Sequence, residues 1–188
     1  MVQPICVKTD RLLAFMEEVR IMKNAKAKGN TFELTVAKML TEWSGQKFHR
    51  TPASGALHWE NDKRVVSDIV PPQNMNFPFS IECKNQEVPW DFDFILTGTS
   101  TIWKFWSQAS EDAQSEQLEP LLVFKKNFRQ IYAAMRTDTF ILLFKNKDKP
   151  VHVSVAHSEK ITILNFEDLL SQCTLDEILD FAKFLKCT

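Results

Sequence analysis

Apolar positions recur along the chain in two rhythms, and the change from one to the other lays out the elements. In residues 9–22 (TDRLLAFMEEVRIM), Leu12, Leu13, Phe15, Met16 and Val19 form a broad apolar face behind Thr9 as a cap, which predicts a helix. A lysine-rich stretch, residues 23–28, leads to Gly29, and a second helix is predicted from about residue 30 to residue 44, stopping at Gly45. Its stripe of Phe32, Val36, Met39, Leu40 and Trp43 has the i, i+4, i+7, i+8 spacing of a helix that faces a core. Strand-like pieces follow at 47–51, 64–70 and 78–84, and Pro71-Pro72 closes the second because proline cannot donate to a ladder. A helix over 100–117 carries Trp103, Phe105, Trp106 and Ala109, and an apolar strand at 121–124 comes after it. Further strand-like runs lie at 130–135, 140–144, 151–155 and 161–164. A last helix begins at Thr174, where T-L-D-E sets Thr174 and Glu177 in a capping box. The order implies an α/β architecture around a central mixed sheet, with no internal repeat.

The length of 188 residues fits one compact domain with modest additions. Hydrophobic residues at 44% and charged residues at 25% make it an ordinary soluble globular chain. Apolar runs such as 140–144 stop at five residues, where a membrane span needs roughly 20, so a membrane partner is not expected. Asp10 and Arg11 interrupt any apolar leader. The four cysteines, Cys6, Cys83, Cys173 and Cys187, are scattered with no C-x-x-C pair, which points to reduced thiols in a cytoplasm. Net charge is −1 but unevenly spread. Residues 20–64 hold nine basic and four acidic side chains, and residues 151–188 hold three and six. A basic face offset by an acidic tail is compatible with DNA binding, and equally with a solvated surface.

The sharpest chemical feature is Asp68 followed, thirteen residues between, by Glu82-Cys83-Lys84. On a strand, Glu82 and Lys84 project from one face and Cys83 from the other. A neighbouring strand can bring Asp68 beside them. Two carboxylates with an ammonium form a hard-oxygen set suited to Mg²⁺ or Mn²⁺, with the ammonium placed to orient a water or offset charge on a phosphorane. Glu82 sits in the apolar run F-P-F-S-I-E-C-K, where a charge is expensive unless paired. Upstream, Arg50-Thr51-Pro52-Ala53-Ser54-Gly55 offers a guanidinium fork, two hydroxyls and a glycine that suit a phosphate, or a plain connection. Asn30-Thr31-Phe32-Glu33 fits a capping box, yet Glu33 also borders the face of its helix turned to the sheet. Both roles stay open. His49, His58, His152 and His157 lack metal-ligand spacing; His58, in the 51–64 loop, reads as a surface histidine before it reads as a DNA contact. Trp90-Asp91-Phe92-Asp93-Phe94 reads as an edge strand or a dimer contact before it reads as a stacking platform for bases. Lys125, Lys126 and Arg129 suit a DNA backbone or a solvated turn.

Taken in order, Lys28-Gly29-Asn30-Thr31-Phe32-Glu33, the 50–55 loop, Asp68-Ile69-Val70 and Ile81-Glu82-Cys83-Lys84 resemble the PD-(D/E)XK nucleases. Within that superfamily the chain is similar to the archaeal-type Holliday junction resolvases and their phage-encoded relatives. The stretch holding Trp106, Gln108 and Ala109 and ending in P-L-L-V-F-K-K at 120–126 extends the likeness. The resemblance implies a restriction-endonuclease-like core of helix, three strands, helix, strand over 28–126, with a helical extension at 1–27 and an α/β extension packed on the core at 127–188. It implies a Mg²⁺-dependent endodeoxyribonuclease for which Mn²⁺ can substitute, acting as a homodimer on four-way or other branched DNA. Asp68, Glu82 and the Cys83 backbone carbonyl would hold the metal, with Lys84 near the water and Glu33 assisting. Arg50, Ser54, Lys28 and Gln108 would touch DNA. Leu34 stands where several resolvases carry arginine. The rivals are a nuclease of duplex, flap or single strands, and an inactive DNA-binding or assembly protein of the same fold. Four charged positions, Glu33, Asp68, Glu82 and Lys84, speak against a degenerate site.

Overall fold

The computed structural model describes residues 7–51, 67–86 and 92–186, with side chains described from residue 26 in the first span and from residue 94 in the last. A single helix, α1 (Val7–Ser44), stands where two were predicted. Glycine inside a helix costs about 1 kcal/mol relative to alanine. Ala25, Lys26, Ala27 and Lys28 before Gly29 are strong helix formers, and they carry the helix through it. The Thr31 hydroxyl donates to the Ala27 carbonyl at 2.9 Å, one turn back, so the helix is already formed at that point. The predicted stop holds. Gly45 takes φ +66°, and its N–H closes on the Thr41 carbonyl at 3.0 Å.

Short strands β1 (His49–Arg50) and β2 (Ile69–Val70) pair antiparallel, Arg50 opposite Ile69. Then come β3 (Phe79–Asn85), α2 (Phe92–Leu96), α3 (Ile102–Ser115) and β4 (Glu119–Lys125). β4 lies parallel to β3, with Glu82 opposite Leu122 and Lys84 opposite Phe124. The remaining elements are β5 (Ile131–Arg136), α4 (Thr137–Leu143), β6 (His152–Ala156), β7 (Lys160–Asn165), α5 (Phe166–Gln172) and α6 (Leu175–Leu185). They complete a five-stranded mixed sheet ordered β3-β4-β5-β7-β6, antiparallel at every pair but the first. The predicted core order is therefore present, in a mixed α/β fold of restriction-endonuclease type.

Alternation along the strands divides the core in two. Ile81, Cys83, Leu121 and Val123 bury one way, against Phe32, Val36 and Leu40 of α1 and against Phe140, Phe166, Ile178 and Phe181 of the C-terminal helices. Leu122 and Phe124 bury the other way, against Ile102, Trp103, Trp106 and Ala109 of α3. Gly98, at φ +72° between α2 and α3, lies so close to His157 that a Cβ would come within 2.4 Å of its ring, which stacks on Trp103.

Three local expectations are corrected. Residues 140–144 belong to α4 and its cap, where Phe140, Leu143 and Phe144 are buried and Ile141 and Leu142 exposed; a five-residue apolar run cannot itself distinguish strand from helix. The expected edge strand at 90–94 is replaced over 92–94 by the start of α2, and Trp90 and Asp91 lie outside the described residues. Helix α5, not anticipated, is capped by Asn165, whose side chain accepts from the Glu167 and Asp168 N–H groups. The predicted box of Thr174 and Glu177 does cap α6. No described helix is long and apolar enough to cross a membrane.

Candidate active site

The central strand of the site is β3. Because Ile81 and Cys83 are drawn into the core beneath α1, strand alternation turns Glu82 and Lys84 to the α3 side. Glu82 is only 6% exposed, and its Oε1 accepts from Lys84 Nζ at 2.5 Å. The Lys84 ammonium also lies 5.6 Å from the centre of the Phe105 ring on α3.

Asp68 is held by three bonds, two to the edge of β3 and one to the segment after β1. Its N–H donates to the Ile81 carbonyl (3.0 Å), its carbonyl accepts from Thr51 N–H (2.9 Å), and its Oδ2 accepts from Cys83 N–H (2.8 Å). The flanking backbone is braced in turn. Buried Thr51 donates its hydroxyl to the Ser67 carbonyl at 2.5 Å, and Ser67 donates its own to the Ile69 carbonyl at 2.9 Å. In an extended strand a residue's N–H and C=O leave along the same edge, so the Cys83 carbonyl opens on the Asp68 side. Burial, and after it the negative charge of Glu82, push the Asp68 carboxyl up to about 7; the Cys83 N–H bond opposes this, while Glu33 adds to the rise. The Cys83 thiol faces the core and is held well above its ordinary value by burial.

Glu33 reaches the same field from α1. Its carboxylate pairs with the Arg50 guanidinium through Nε, and Arg50 Nη2 donates to Asn30 Oδ1 at 2.8 Å. The capping box read at Asn30 and Glu33 is absent, since both lie inside α1 and both serve Arg50. Arg50 is thus engaged with α1. Ser54, Pro52 and His58 lie outside the described residues. Lys28 is exposed at a cleft of about 380 Å³ shared with Lys125, Thr31 and Asn85. Gln108 is exposed on α3, one turn from Phe105 and one from Asp112 on the same helix face. Phe105 and Asp112, whose carboxyl is raised by burial and by Glu111 against the opposing Lys84 charge, belong to this neighbourhood, but the sequence marked Phe105 only as an apolar helix position and Asp112 not at all. Their only signal was the i, i+7 spacing on a helix already read as core-facing.

Among the described residues no three His, Cys, Asp or Glu side chains form a metal-holding group by themselves. Mg²⁺ does not demand one. It is commonly held by one or two carboxylates and keeps several waters. Asp68 and Glu82, two hard carboxylates close enough that the charge of Glu82 adds to the rise of the Asp68 carboxyl, fit that donor chemistry together with the Cys83 backbone carbonyl.

A family model described as "Phage putative PDDEXK endonuclease" matches residues 24–180, from α1 into α6. Protein D14 of Escherichia phage T5 is 27% identical over 164 residues, covering 83% of this chain and 98% of that protein. No solved structure matches the chain.

Proposed function

The chain belongs to the phage PDDEXK endonuclease family, and from that membership we propose that it is a Mg²⁺-dependent nuclease that hydrolyses DNA phosphodiester bonds, with branched DNA such as four-way junctions as its substrate. The observation that carries the reading is the convergence of Asp68, Glu82 and Lys84 at one edge of β3. Asp68, Glu82 and the Cys83 carbonyl would hold Mg²⁺, with Mn²⁺ as a substitute. Such an ion, when bound, lowers the pKa of its water and offsets charge that builds on the phosphate.

The side chains divide the remaining work. The Lys84 ammonium, a compact donor on a flexible stem, orients the attacking water and faces the developing charge. Glu33 supplies a third carboxylate at the rim, and Arg50 holds it there while reaching Asn30. Lys28, Gln108 and Ser54 serve as DNA contacts around the site, and Arg50 contributes its positive field to them. A homodimer presents two identical sites related by a two-fold axis, which suits the paired nicks that resolve a junction.

The test is direct. Labelled four-way junction, duplex, flap and single strand are each incubated with Mg²⁺ or with chelator. Junction cleavage that chelator abolishes supports the reading. Equal cutting of junction and duplex by a protein that is monomeric in light scattering removes the junction preference. Cleavage that persists in chelator removes the metal.

A further inference from the structure

Lys84 has a support that the PD-(D/E)XK motif does not contain. Its four-carbon stem is flexible, and fixing one ammonium position costs rotamer entropy. On β3 itself the group that fixes it is Glu82, at 2.5 Å. In the reading above, Glu82 also serves as a metal ligand, and a carboxylate shared with a second cation holds an ammonium less firmly. Something outside β3 must then keep Lys84 in place.

The ring of Phe105 lies 5.6 Å from Nζ, within the range where an aromatic face attracts a cation, and burial strengthens that attraction. The ring is rigidly presented. Its helical neighbours Ile102 and Trp106 are each 1% exposed in the core between α3 and the sheet, so α3 cannot shift without unpacking them. Phe105 itself is only partly buried, leaving its face available to Lys84. We propose that Phe105 is a positioning residue: its ring holds the Lys84 ammonium over the site while Glu82 is engaged with the metal. The inference rests on the role of Lys84 proposed above.

The full-length protein is compared with Phe105→Leu, Phe105→Tyr and Phe105→Trp, using the preferred DNA substrate in Mg²⁺. Phe105→Leu is expected to lower kcat about tenfold with KM little changed, and the two aromatic variants to stay within about threefold of wild type. In a Lys84→Met background, adding Phe105→Leu should cause no further loss, because its effect passes through the ammonium. A second readout needs neither metal nor cleavage. In metal-free protein carrying ¹³C-labelled lysine, the Lys84 Hε resonance should lie upfield from the ring current, and Phe105→Leu should return it to the ordinary lysine position.

If Phe105→Leu does not fold, Phe105→Met replaces it in every comparison. Wild-type kcat in Phe105→Leu, with kcat of Lys84→Met far below wild type but still measurable, overturns this inference and leaves the reading of Lys84 standing. An equal fall in the leucine, tyrosine and tryptophan variants also overturns it, since that pattern reports packing. Wild-type cleavage by Lys84→Met overturns the role of Lys84, and the inference with it.

Discussion

Asp68 answers to three partners through three different atoms, and only one of them, Oδ2, belongs to its side chain. Its position is therefore set by the backbone, which makes it separable from its charge. Asp68→Asn and Glu82→Gln are each expected to abolish cleavage while circular dichroism and DNA binding stay near wild type; full cleavage by both, in protein free of host nuclease, would refute the site. Glu33 is a different case, because its carboxylate is the counter-charge of Arg50. Glu33→Gln keeps the side-chain length and a hydrogen-bonding oxygen but loses the charge. The rate should fall tenfold or more, about 1.4 kcal/mol of transition-state stabilisation, with the helical signal unchanged. Unaltered metal-dependent cleavage by this variant would take Glu33 out of the site. At this scale the sequence was legible where chemistry runs along the strand: Glu82 and Lys84 share a face by alternation alone. It was not legible where partners are distant. Asn30-x-x-Glu33 matches a local capping pattern, and nothing in the spacing shows that Arg50, seventeen residues after Glu33, takes both side chains.

Among the elements, α4 and α6 show why one helix was read correctly and the other was not. Helix α6 carries its own start signal. Glu177 accepts from the Thr174 N–H (2.8 Å), and the Thr174 hydroxyl accepts from the Glu177 N–H (3.3 Å). Helix α4 has no side-chain cap, and its apolar run fits either period. Phe140→Ala should therefore cost about 3–5 kcal/mol, whereas Ile141→Lys should cost less than about 1 kcal/mol despite replacing a β-branched apolar residue in the same run. A strand would set Leu142, which is 42% exposed, on the same face as Phe140 and Phe144 and make Leu142→Lys as costly as Phe140→Ala; in the helix Leu142→Lys should cost less than about 1 kcal/mol, and denaturant midpoints decide. At α6 the Lys147 ammonium, foremost, and the Thr174 N–H hold the Glu177 carboxyl below its ordinary value of 4.5. A folded value below the unfolded one stabilises above about pH 4.5, and that contribution disappears as pH falls through the depressed value. The melting temperature of wild type should exceed that of Glu177→Gln at pH 7, and the two should converge towards pH 3. Helix α1 follows the same logic as α4. Gly29 reads as punctuation, yet the strong helix formers before it carry the helix on, and only packing of its second half on the sheet shows where the chain continues.

For the whole molecule, the sheet does not end with the segment that carries the site. Strands β5, β7 and β6 supply three of its five strands, and Ala133, Ala134 and Met135 of β5 are completely buried beside β4. A chain cut after Asn127 would leave β4 as a bare apolar edge and remove the helices that cover Leu121 and Val123. It should fail to unfold cooperatively in denaturant, while the full chain gives a single transition. The fold class was legible because the order of helices and strands survives local errors; the pairing order was not, since an antiparallel run after β4 leaves no mark on hydrophobic period. The parallel register of β3 on β4, Glu82 opposite Leu122, also has a consequence in time. Contacts across about forty intervening residues close later than hairpins such as β6 with β7, because the loop entropy must be met before the pairing is gained. When the whole chain refolds, the strand that holds Glu82 and Lys84 is therefore expected to lock later than that hairpin. On a ribosome it waits, unpaired on its β4 side, until the far end of the crossover has emerged, so the proposed site is complete only when most of the protein is already made.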